Sequence, residues 1–168
     1  MPDTVADTGP ILHLHEIGRL EALTTVAPLA VPDLVMAELG IRGLGSPDLL
    51  AAGVESTVIA VHSEEWEEIP WETDLPRIQP ADVQVFVLVR ASRFQALAIT
   101  DDLTLRRLLE AQGATVAGSV GILVRAYSSG KLRRNELEES VEDLIRESSL
   151  HLSRAFRLYL RQLLTDLP

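Results

Sequence analysis

Short β-branched runs alternate along the chain with stretches whose apolar residues recur at helical spacing, a pattern of strand–helix units that build a parallel sheet. The strand runs fall at 4–6, 29–31, 57–61, 97–100 and 115–117. A helix is expected after the first strand through Leu14, Ile17 and Leu20, and a second from Pro32, because proline suits a first helical turn where its missing N–H would find no partner. The glycine-rich stretch 40–45 ends that helix. A helix over 81–94 leads to the fourth strand, and the next helix sets Leu105, Leu108 and Leu109 on one face. Three further helices, 120–128, 135–147 and about 150–164, complete the chain. The last is the clearest amphipath: Leu152, Ala155, Phe156, Tyr159, Leu160 and Leu163 share a face, with Arg154, Arg157 and Arg161 opposite.

Between the third strand and helix 81–94, residues 63–79 hold both tryptophans, a run of acids and two prolines, and read as a loop. Long irregular connections in compact domains are often functional, although no mechanism attaches to this one. Repeats and low-complexity segments are absent.

With 168 residues, 46% of them hydrophobic, the chain is expected to bury one sizeable core without staples. Cysteine is absent, which excludes thiol catalysis, Cys-ligated zinc and disulfides. Residues 1–6 lack the basic stretch and apolar run of a signal peptide, and no apolar segment approaches the ~20 residues of a membrane span, so a soluble, cytoplasmic protein is expected. A net charge of −10 argues at first against a nucleic-acid partner. Its distribution changes that: residues 1–89 carry 3 basic and 15 acidic side chains, residues 90–168 carry 12 and 10. An acidic, cation-binding site can thus share the molecule with an arginine-bearing substrate path.

The acids fall where open α/β sheets bind ligands, beyond the carboxyl ends of strands. Asp7 follows the first strand, and Asp101 and Asp102 the fourth. Glu38 interrupts an apolar helix face beside Leu34, Val35 and Ile41, and Asp82 sits in the first turn of helix 81–94. Two unit charges 4 Å apart repel by about 4 kcal/mol at an effective dielectric of 20, so converging acids call for a divalent cation. Oxygen donors without His or Cys favour Mg²⁺ or Mn²⁺ over zinc.

The run Asp7-Thr8-Gly9-Pro10-Ile11, then Ile17-Gly18-Arg19-Leu20, then Val31-Pro32 through Glu38-Leu39, resembles the opening of PIN domains. Pro80-Ala81-Asp82 and Thr100-Asp101-Asp102 resemble their later acidic motifs in order. Gly118-Ser119-Val120-Gly121-Ile122-Leu123 resembles a subfamily that starts a helix with a Gly-Thr-Leu-Gly-type turn and adds C-terminal helices. Two positions depart from it, Ala81 where glycine is usual and Gln84 where a second acid is frequent.

The resemblance implies a three-layer α/β PIN-like fold with a central parallel sheet of about five strands, a nuclease domain over 1–132, and a helical extension over 133–168 packed on it. It implies a metal-dependent ribonuclease, similar to those that act as the toxin of a toxin–antitoxin pair, with a small antitoxin partner and a homodimeric state. By resemblance Asp7, Glu38, Asp82 and Asp102 are the catalytic, metal-binding quartet; Asp101 is a fifth ligand or stands in for Asp102, which spacing does not decide. Thr8 and Thr100 would orient carboxylates. Arg90, Arg93, Arg106 and Arg107, closest in sequence to the acids, would hold RNA phosphates.

Taken singly, each of these acids is an ordinary turn or cap residue; their order along the chain is what points to a metal site. The arginines of the last helix, like its glutamate-rich predecessor, read as solvated faces. His13 and His15 lie on different sides of a helix, which argues against a shared metal, and His62 and His151 lack visible partners. Serine-hydrolase and phosphate-loop motifs are missing. Two alternatives remain, a catalytically silent PIN-like module that binds RNA or protein, and a receiver-like signalling domain. The second would need an acidic pair after the first strand and a lysine after the last, but only Asp7 follows the first strand and the sole lysine is Lys131.

Overall fold

The computed structural model describes residues 2–62 and 78–167. The Trp-bearing stretch expected as a loop lies, up to residue 77, outside the described residues. Within them, strands β1 (Thr4–Ala6), β2 (Leu29–Pro32), β3 (Ser56–Ile59), β4 (Leu97–Ile99) and β5 (Val116–Ala117) form one parallel sheet, ordered β3-β2-β1-β4-β5. Helices α1 (Thr8–Glu16), α2 (Asp33–Ile41), α3 (Ser46–Ala51), α4 (Pro80–Ala91), α5 (Leu103–Ala111), α6 (Ser119–Ser128), α7 (Arg134–Arg146) and α8 (Arg154–Asp166) flank it. The chain thus adopts the expected α/β, PIN-like architecture.

The sheet order positions the site. β1 is central and fully buried, pairing Thr4 with Leu29 on one side and with Leu97 on the other. The chain builds outward from β1 to β3, then returns to the far side of β1 for β4 and β5. Where strand order reverses, the helices after neighbouring strands leave in different directions and open a crevice beyond the carboxyl ends. That reversal lies between β1 and β4, the strands followed by Asp7 and by Asp101 and Asp102.

α4 is apolar almost all round, with Val83, Val85, Val87 and Val89 buried together with Phe86 and Leu88. β-branched residues disfavour isolated helices, but this one packs on β1, β2, β4, α2 and α5, and burial on every side outweighs propensity. α6 packs on α1, α7 on α6 and α8 on α7.

Local expectations shift in five places. The first helix stops at Glu16, Gly18 takes a left-handed φ of +66°, and Leu20–Thr25 winds as a 3-10 helix. Pro32 ends β2 in extended conformation (ψ 149°), so α2 begins at Asp33. The stretch after α2 continues into α3, whose start carries Pro47 and Asp48. The helix over 81–94 ends at Ala91, and Arg93 and Phe94 are left-handed. In α8, which starts at Arg154, only Leu160 of the expected apolar face is fully buried; Phe156 and Tyr159 are exposed.

Candidate active site

Asp7 extends β1 by one backbone bond, its N–H donating to the Ile99 carbonyl at 2.9 Å, and this places its side chain at the β1–β4 seam. Thr100, at the end of β4 and fully buried, donates its hydroxyl to Asp7 Oδ2 at 2.6 Å and accepts the Asp102 N–H at 3.0 Å. One hydroxyl therefore spans two candidate acids. Thr8 does the same on the other side, its N–H donating to Asp7 Oδ1 at 2.7 Å and its hydroxyl to Glu38 Oε2 on α2 at 2.5 Å.

Asp82 and Asp102 are helix-start acids as well as candidates. Asp82 Oδ2 accepts the Gln79 N–H at 3.0 Å, and Asp102 Oδ1 caps α5 by accepting the Leu105 N–H at 2.7 Å. Each cap uses one oxygen. Asp82 Oδ1, Asp102 Oδ2 and Glu38 Oε1 receive no hydrogen bond among the described residues.

Burial pushes Asp7 up to about 7, helped by repulsion from Asp82 and Asp101 and opposed by the bonds from Thr100 and Thr8. Asp82 is pushed up to about 6, again chiefly by burial, with repulsion from Asp102 and Glu38 and with the Gln79 N–H opposing. The acids thus sense one another electrostatically, Asp7 responding to Asp82 and Asp101, and Asp82 to Asp102 and Glu38. In kind, these donors fit a hard divalent cation: carboxylates with unbonded oxygens and unrelieved repulsion. In placement they stand apart; among the described residues no three His, Asp or Glu side chains are close enough together to hold an ion.

Asp101 points elsewhere. Its Oδ1 accepts the Ser119 N–H at 2.8 Å, and its Oδ2 accepts the Ser119 hydroxyl at 2.5 Å and His13 Nδ1 at 2.7 Å. His15, by contrast, is exposed. The involvement of His13 and Ser119 was not legible in sequence, since His13 lies 88 residues from its partner. The Gly118-Ser119 helix start was the one available signal.

The four arginines stand differently toward the acids, and Arg106 Nη2 and Asp101 Oδ1 flank the same point beside Gly118. Arg90 and Arg93 lie 8 and 11 positions beyond Asp82, roughly 12 and 16 Å along or past α4 at about 1.5 Å per residue. Arg106 straps the sheet, donating to the carbonyls of Thr100 (3.2 Å) and Val116 (3.3 Å) and pairing with Glu110. Arg107 is exposed one turn into α5. Gln84, in the position where an acid is frequent, is buried as a cross-brace: Oε1 accepts the Leu34 N–H (3.0 Å) and Nε2 donates to the Val61 carbonyl (3.2 Å). Ala81 is buried against the core.

A parallel sheet with acids beyond the carboxyl ends of its strands at the switch point defines an α/β domain whose ligands are expected at that edge. The DUF3368 family model, described as a PIN domain, matches residues 3–165, and the chain belongs to that family. PIN domains are in general nucleases that work with divalent metal ions. No curated protein matches the chain.

Proposed function

We propose that the protein is a metal-dependent ribonuclease that hydrolyses RNA phosphodiesters, with Asp7, Glu38, Asp82 and Asp102 holding Mg²⁺ or Mn²⁺. The observation that carries this is the set of acids from four separate elements around the β1–β4 crevice, tied together through Thr8 and Thr100, where burial first and mutual repulsion second raise both Asp7 and Asp82. When bound, such ions supply a water of lowered pKa and stabilise charge on phosphoryl oxygens. The chain's own part is orientation. Thr100 and Thr8 fix both Asp7 oxygens, Thr8 turns Glu38 inward, and the caps on Asp82 and Asp102 each leave one oxygen for a ligand. Exposed Arg107, five residues past Asp102, is a candidate to meet a flanking phosphate.

The finer role is a cytoplasmic toxin, homodimeric and neutralised by a small antitoxin, with residues 133–168 as an extension on the 1–132 nuclease domain; sequence resemblance supports it. A second reading, a silent module that binds RNA or protein, is favoured by the separation of the acids, no three of which group closely among the described residues.

The test is cleavage of structured RNAs by purified protein with Mn²⁺ or Mg²⁺ against EDTA, alongside Asp7→Asn and Asp102→Asn. Metal-dependent cutting that drops at least about 100-fold in both variants is expected. An inert wild type that still binds RNA would establish the silent module instead.

A further inference from the structure

We propose that Asp101 is a positioning residue and not a metal ligand: clamped by His13 and Ser119, it fixes the turn after β4 so that Thr100 reaches Asp7 and holds the Asp102 amide. This rests on the nuclease reading for its effect on rate, but the clamp itself is independent of it.

Asp101 and Asp102 are neighbours with opposite surroundings. Asp102 is exposed and keeps one oxygen unbonded among the described residues. The Asp101 side chain is 11% exposed and takes three hydrogen bonds, two from Ser119 at the start of α6 and one from His13 on α1. A carboxylate offers about four lone-pair sites, so three are filled, and an ion at Oδ2 would have to displace His13 or the Ser119 hydroxyl. Because an ionised carboxylate only accepts, His13 Nδ1 must be the donor, which assigns its proton.

The packing around the carboxylate is built for this clamp. A Cβ on Gly118 would lie 2.5 Å from Asp101 Oδ1, and one on Gly9 would lie 3.5 Å from both Asp101 Cβ and His13 Cε1. Glycine at 118 thus serves close approach, since its φ of −109° is open to any residue. The turn that Asp101 anchors continues directly into the site: Thr100 bonds Asp7, and the Asp102 N–H bonds Thr100. Arg106 holds the Thr100 carbonyl from outside. Loosening Asp101 therefore frees Thr100, which bonds Asp7, and Asp102, whose amide bonds Thr100, without removing any unbonded oxygen from the quartet.

The test uses the full chain with Mn²⁺ alone as the calorimetric probe and structured RNA as substrate. Asp101→Asn is expected to bind Mn²⁺ within about threefold of wild type, whereas Asp102→Asn weakens binding at least about tenfold. His13→Phe keeps the ring volume but removes the donor; it should lower kcat about tenfold with KM unchanged. His13→Asn, whose Nδ2 can occupy the place of Nδ1, should recover kcat to within about threefold of wild type. Amide exchange reads the clamp without catalysis: the Ser119 and Asp102 amides should lose protection in His13→Phe and regain it in His13→Asn. If His13→Phe does not fold, Ser119→Ala takes its place, with Ser119→Thr as its rescue.

Loss of Mn²⁺ binding in Asp101→Asn equal to that in Asp102→Asn would make Asp101 a ligand and overturn the proposal. So would Phe and Asn variants of His13 that behave alike in exchange. A wild type that neither binds Mn²⁺ nor cuts RNA would defeat the nuclease reading alone, and the exchange result would still decide whether the clamp exists.

Discussion

The β1–β4 crevice and helix α8 break the usual partition of residues in opposite directions. In the crevice, carboxyl groups are drawn partly out of water: Asp7 is 6% exposed, and Glu38 and Asp82 are half-buried. On α8, apolar rings are left in it: Tyr159 is 57% and Phe156 40% exposed. The difference lies in what surrounds each anomaly. Every crevice acid is fixed by a neighbour of defined geometry, whereas Phe156 and Tyr159 stack on one another, their rings 5.8 Å apart. A buried carboxyl that is costly to ionise and individually oriented calls for an explanation, while scattered exposed apolar surface is commonplace.

The largest effect should come from neutralising Asp7, which separates activity from stability. Asp7→Asn is expected to abolish at least about 99% of metal-dependent RNA cleavage. The same change should stabilise the fold. The folded chain holds the Asp7 proton up to about pH 7 and the unfolded chain only to 3.8, so the favourable contribution is complete below 3.8 and is lost as pH rises through 7. At pH 8 in EDTA, the variant should therefore exceed wild type by on the order of 2–4 kcal/mol in urea unfolding, a difference that vanishes near pH 4. Asparagine can still accept from Thr8 and donate to Thr100. A variant less stable than wild type at pH 8 would mean that the crevice favours the charge, and the contrast with α8 would lose its basis.

Much of this crevice was legible in the chain. Strand ends place Asp7, Asp101 and Asp102 at carboxyl edges, and helix periodicity was right for α4 despite its valines, because an apolar run of that length exceeds a strand. Pro32 misled, since its fixed φ suits a strand end and the residue before a helix as well as a first turn. The short helix α3 was hidden by the glycines that precede it. What sequence could not supply were partners set by long-range packing: His13 on Asp101, and Gln84 bridging 50 and 23 residues to Leu34 and Val61. Exposure of the α8 rings was equally invisible, because periodicity identifies a face without saying whether anything covers it.

Gln84 offers the next smaller effect and sharpens the boundary of the acid site. Its amide ties α4, which carries Asp82, to the start of α2, which carries Glu38. Gln84→Leu conserves most of the volume but leaves the Leu34 N–H and the Val61 carbonyl without this partner, and should destabilise by about 2 kcal/mol. Thermal or urea unfolding reads it. A loss near zero would show that water or other groups replace the amide. Such a result would detach Gln84 from the placement of the two acids.

The smallest effect belongs to α8. Tyr159→Ser removes a ring that is mostly in water already and whose stacking partner, Phe156, is itself exposed. Little apolar area returns to solvent, so the change in unfolding free energy should stay within about 0.5 kcal/mol, offset in part by the relief of an exposed ring from water. The bond that starts the helix, from the Phe156 N–H to Ser153 Oγ, does not involve the ring. A much larger loss, measured in dilute protein and growing with concentration, would show that the rings are covered in solution by a second copy. In that case the apolar anomaly would be as purposefully built as the charged one.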